Sequence, residues 1–132
     1  MLVLGAGAGR LAYDVHMQTT ARTTVALDFN PLLSIVADRV TRAETHRALR
    51  VPDRAARADA AVLRTLAAPA PARAGLVFVV ADAHRPPFRH GAFDTVVTPW
   101  LVDILPGAVR RALRASQRAA RRRRPLAQLR LA

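Results

Sequence analysis

A short apolar run, Leu2-Val3-Leu4, opens directly onto Gly5-Ala6-Gly7-Ala8-Gly9. Few folds accept that junction. A run without alternation reads as a strand buried on both faces, as in a parallel sheet covered by helices. Glycines at every second position permit left-handed backbone and let a ligand approach closely. From Arg10 to about Thr19 a helix follows, with Leu11, Val15 and Ala12 available for burial. Strand, glycine turn and helix in immediate succession form the first unit of an α/β fold.

The rest of the chain repeats the alternation. Thr23 to Leu27 is β-branched and apolar, a second strand ending at Asp28. Asn30-Pro31 is a helix start, with Asn as N-cap and Pro at the first helical position. That helix is predicted to run to about Arg50 with Leu32, Leu33, Ile35, Val36 and Val40 on its apolar side. A third helix is expected over Ala55–Leu66, then a Pro-rich linker, Ala67 to Pro71. Leu76 to Val80 reads as a third strand, ending at Ala81-Asp82. A loop spans His84–Gly91, a fourth strand Phe93–Thr98, and a helix broken by Pro106-Gly107 is expected over 101–113. Strands alternating with helices imply a parallel sheet with right-handed crossovers.

At 132 residues the chain has the length of one small domain. It has no cysteine, hence no disulfide or thiolate metal site, and its four histidines show no metal spacing. It lacks an apolar run long enough for a transmembrane helix, and its start lacks a basic region before the apolar one. A cytoplasmic protein without a membrane partner is the expectation. The charge of +12 is unevenly placed. Residues 1–106 hold all nine acids and twelve arginines, while residues 107–132 hold nine arginines and no acid.

Ligands of such sheets bind beyond the carboxyl ends of the strands. The small and polar residues fall at those ends: Gly5, Gly7 and Gly9 after the first strand, Asp28 and Phe29 after the second, Asp82 and Ala83 after the third, and Thr98-Pro99-Trp100 after the fourth. A carboxylate accepts through two oxygens, so Asp28 suits the two hydroxyls of a ribose. Asp82 suits an adenine amino group, with the Ala83 N–H donating to a ring nitrogen. Trp100 is either core or a substrate wall. The dinucleotide fingerprint requires a third glycine where this chain has Arg10, so an NAD(P)-binding protein is the weaker reading.

The spacing is G-x-G-x-G with Asp28 nineteen residues after Gly9. With Val3-Leu4-Gly5-Ala6-Gly7-Ala8-Gly9-Arg10, Ala26-Leu27-Asp28-Phe29-Asn30, Ala81-Asp82-Ala83 and Phe93-Asp94-Thr95-Val96-Val97, it resembles the class I S-adenosylmethionine-dependent methyltransferases. The resemblance implies a Rossmann-like sheet with helices on both faces and the strand order 3-2-1-4 for the four strands present. It implies S-adenosylmethionine as cofactor, with Gly5, Gly7 and Gly9 along its amino-acid and ribose parts, Asp28 at the ribose and Asp82 at the adenine. The family usually has an acid where this chain has Val3. Carnosine N-methyltransferase-like proteins keep an apolar residue there and read G-A-G-x-G-R, as here. The Asn-Pro-Pro-Tyr signature of many nucleic-acid amino-methyltransferases is replaced by Thr98-Pro99-Trp100, which leaves the methyl acceptor open and no catalytic residue assigned.

A full fold of that family has seven strands, so residues 1–106 are expected to be its truncated cofactor-binding part. The tail gives two expectations. Read displaced by one base within GC-rich codons, residues 114–130 can encode a helix end, a Gly-Gly turn and a strand start, which would make the tail a frameshift product. Taken as it stands, the arginine run fits a small basic protein that binds nucleic acid through phosphates.

Overall fold

Strand and helix alternate through residues 1–50, and the computed structural model describes residues 1–50, 61–89 and 91–99. The elements are β1 (Leu2–Leu4), α1 (Arg10–Gln18), β2 (Thr24–Asp28), α2 (Pro31–Thr41), β3 (His46–Arg50), β4 (Val62–Leu66), β5 (Leu76–Val80) and β6 (Val96–Val97). Four strands form a parallel sheet in the order β5-β2-β1-β6, the order 3-2-1-4 that the resemblance implies.

The unbroken apolar character of β1 follows from its central place. Leu2 and Leu4 pack with Val25, Leu27, Val96 and Phe93 on one face, and Val3 packs with Ala12 and Ala26 on the other. Leu2, Leu4 and Leu27 are fully buried, and each such side chain contributes roughly 1.5–3 kcal/mol. Both described helices lie on the Val3 face. The other face is covered by the loop between β5 and β6, where Ala83 and Phe93 are buried and Phe88 meets Phe93 edge to face, centroids 5.0 Å apart.

Several expectations are corrected. The helix from Pro31 ends at Thr41, not near Arg50. Its last turn closes through Ala43 N–H to Val40 C=O and Glu44 N–H to Arg39 C=O, with Ala43 at φ 68°. Residues Val62 to Leu66 form a strand rather than a helix, paired antiparallel with β3. Alanine-rich composition suggested helix there, but Val62 and Thr65 are β-branched and the pairing bonds the backbone groups that face the partner strand. The rest of that expected helix, 55–60, lies outside the described residues, as does the helix expected over 101–113. The fourth strand shortens to Val96–Val97.

The buried face of α2 also differs. Ser34, Ala37 and Thr41 face the sheet, while Leu32 is 72% and Ile35 51% exposed. Small residues are needed on that face because α2 lies close to the glycine turn. In α1 the buried residues are Ala12, Tyr13 and His16, with Leu11 and Val15 half-buried. The segment 70–73 explains this. Tyr13 Oη donates to Ala70 C=O at 2.8 Å, and His16 Nε2 lies 3.2 Å from Arg73 C=O. A carbonyl only accepts, so Nε2 carries the proton and Nδ1 accepts from the Thr24 hydroxyl at 3.0 Å. The Arg73 guanidinium donates back to the carbonyls of His16 and Thr19. No described helix is long and apolar enough to cross a membrane.

Candidate nucleoside-binding site

Three strand ends, those of β1, β2 and β5, meet at one edge of the sheet. The turn after β1 holds Gly5, Gly7 and Gly9 at φ 68°, 54° and 80°, a region that disfavours residues with a Cβ. Two of these glycines serve different ends. A Cβ on Gly9 would lie 2.7 Å from the Phe78 ring and 2.8 Å from the Ala37 Cβ, so Gly9 lets α1, α2 and β5 pack closely. A Cβ on Gly7 would meet nothing within 4 Å, so Gly7 borders open space. The contact that a dinucleotide fingerprint assigns to its third glycine is thus made by Gly9, one position earlier.

Asp28 organises the edge. Its Oδ2 accepts from Gly7 N–H at 2.7 Å and its Oδ1 from Asn30 N–H at 2.8 Å. One carboxylate therefore joins the glycine turn to the start of α2. Each oxygen keeps further acceptor capacity for a ligand hydroxyl. Asn30 caps α2 as expected, its Oδ1 accepting from Leu32 N–H at 3.0 Å and Leu33 N–H at 3.4 Å. Phe29, between them in the chain, is 77% exposed.

Most of the turn's N–H groups point inward. Gly5 and Ala6 N–H both donate to Leu27 C=O, at 2.9 and 3.0 Å, and Gly9 N–H donates to Ala6 C=O. The N-terminus of α1 has no side-chain cap and no acid in its first turn. Its amides and partial positive charge suit a small anionic group.

The pairing of β2 with β5 runs through Asp28 opposite Val80 and continues as Ala81 N–H to Asp28 C=O, 3.0 Å. Asp82 follows at once. Its Oδ1 accepts from His84 N–H at 2.8 Å and from His84 Nδ1 at 2.7 Å. These bonds, the backbone one first, hold its carboxyl below the usual carboxylate range. Ala83 anchors the turn with a buried side chain. The structure thus ties Gly5, Gly7, Gly9 and Asp28 into one network, with Phe29, Asp82 and Ala83 on the adjoining strand ends. Trp100 lies outside the described residues, as does the tail, 107–132. His84, read from sequence as a loop residue, is a partner of Asp82. The signal was the Asp-x-His spacing, which suits a side chain closing onto the backbone two residues on.

No protein-family model and no curated protein matches the chain. Solved structures do. A putative S-adenosyl-L-methionine-dependent methyltransferase from Methanococcus maripaludis matches over 91% of this chain and 42% of its own, at 20% identity and TM-score 0.63. A SAM-dependent methyltransferase from Methanosarcina mazei matches over 91% of this chain and 46% of its own, at 16% identity and TM-score 0.60. An arsenic(III) S-adenosylmethionine methyltransferase from Chlamydomonas reinhardtii matches over 90% of this chain and 34% of its own, at 20% identity and TM-score 0.57. The chain spans less than half the length of each of these structures. It carries the Rossmann-like fold found in S-adenosylmethionine-dependent methyltransferases.

Proposed function

We propose that this chain is the cofactor-binding part of an S-adenosylmethionine-dependent methyltransferase. The observation that carries the reading is the Asp28 bridge: one carboxylate braces the glycine turn and still offers acceptor sites to a ribose, next to an exposed aromatic ring and the open side of Gly7. Asp28 would take the ribose hydroxyls, Phe29 would stack on the adenine, and Asp82 with the Ala83 N–H would read its edge. The uncapped start of α1 would receive the carboxylate of the methionine part. With the N–H groups of Gly5, Ala6, Gly7 and Gly9 spent inside the protein, the turn suits a nucleoside better than the pyrophosphate of a dinucleotide.

The bound sulfonium supplies an activated methyl group, and the chain's own task is to position it. The methyl acceptor is unassigned. Val3 and the Gly5-Ala6-Gly7-Ala8-Gly9-Arg10 run support the carnosine N-methyltransferase-like branch, which a methyl-transfer assay with carnosine tests. The arginine-rich tail we ascribe to a displaced reading frame; sequencing the coding DNA past codon 132 tests that, and stops soon after it in every frame would contradict it.

Calorimetric titration with S-adenosylhomocysteine and with NADH tests the binding reading. Saturable binding of the first that NADH does not displace is expected. Binding of NADH alone would overturn the assignment.

A further inference from the structure

Asp82 has two oxygens, and among the described residues only Oδ1 is hydrogen-bonded. Oδ1 accepts two hydrogen bonds, from the backbone N–H and the Nδ1 of His84, both shorter than 2.9 Å. The carboxylate is about half exposed, and the imidazole about a third. An ionised carboxylate only accepts, so Nδ1 must be the donor. The neutral ring therefore carries its proton on Nδ1, and the charged ring makes the same bond. Among the described residues, the charges acting on Asp82 are those of His84 and Arg85, both on its own loop.

We infer that His84 is a positioning residue of the cofactor site: it locks Oδ1 of Asp82 from two directions, so that Oδ2 is the oxygen left to accept from the amino group of an adenine. This rests on the reading under Proposed function. A carboxylate fixed by two donors has lost its rotation before the ligand arrives, so binding loses less entropy there. The bonds also favour the charged form of Asp82. A carboxyl held low keeps its acceptor character as pH falls, and loses it only on passing its lowered value. His84 thereby extends nucleoside binding toward acid.

The test has two readouts on the full chain. The first is the Asp82 carboxyl titration, followed by carbon-detected NMR without ligand. The second is the Kd of S-adenosylhomocysteine by calorimetry near neutral pH and near pH 4, about where an ordinary aspartate begins to lose its charge. In His84→Ala the carboxyl midpoint should move up toward that of an ordinary aspartate. The Kd should weaken roughly three- to tenfold, with the larger loss on the acid side. His84→Asn, which keeps a side-chain N–H within reach, should recover most of both. An unchanged midpoint and an unchanged Kd in His84→Ala would overturn the inference. Absence of any S-adenosylhomocysteine binding by the unaltered chain, with the midpoint still moved by His84→Ala, would instead overturn the cofactor reading. The pair would then be a loop clasp only, and its role at a nucleoside would fall with that reading.

Discussion

Asp28 is held at both oxygens without any ligand, and this gives it two separable roles. Asp28→Ala should abolish S-adenosylhomocysteine binding. It should also lower stability by about 1–3 kcal/mol, because Gly7 and Asn30 lose their acceptor. Calorimetry and chemical denaturation read the two effects separately, and retained affinity would remove Asp28 from the site. At Gly9 the demand is steric. Gly9→Ala puts a Cβ against Phe78 and Ala37 at φ 80°, so about 2 kcal/mol or more of stability should be lost in urea denaturation. These residues were legible in the sequence, because glycine spacing and a strand-end acid report local backbone needs. His16 and Tyr13 were not. Their partners Arg73 and Ala70 lie 57 residues away, and nothing local announces a contact of that range.

The same division holds for elements. β1 and β2 were legible because a parallel strand buried on both faces writes an unbroken apolar run; β5 carries such a run too, although at the sheet's edge its Val77 and Val80 are about half exposed. The start of α2 was legible through Asn30-Pro31, but its buried face was not. The apolar stripe of Leu32, Leu33, Ile35 and Val36 suggested a conventional core face, whereas the close glycine turn selects Ser34 and Ala37. Ile35→Ala should therefore change stability by less than about 0.5 kcal/mol, while Ala37→Leu should destabilise by about 1–3 kcal/mol. The reverse order in thermal unfolding would put the wrong face inside. The β3–β4 hairpin was read as helix because alanine and arginine favour helix when taken alone, while antiparallel pairing depends on a partner strand. Arg64→Pro removes a backbone donor in the middle of β4. Hydrogen exchange should then speed up in 46–50 and 62–66 and stay slow in 24–28, since the two sheets share no strand.

At the scale of the molecule, the sheet order is the one that the family resemblance implied, and it brings three strand ends to one edge. Gly7, Asp28 and Asp82 are distant in sequence, and they meet there because β2 lies between β1 and β5. The charge of the chain is a separate matter. Residues 1–106 carry an excess of three arginines over acids, and every residue of the proposed site lies within them. Binding of an adenine nucleoside at this edge is open to a direct test, amide NMR of the full chain during titration with S-adenosylhomocysteine. Saturable shifts concentrated at Gly5 to Gly9, Asp28, Phe29, Asp82 and Ala83 are expected. No shifts there, or shifts confined to 107–132, would contradict it.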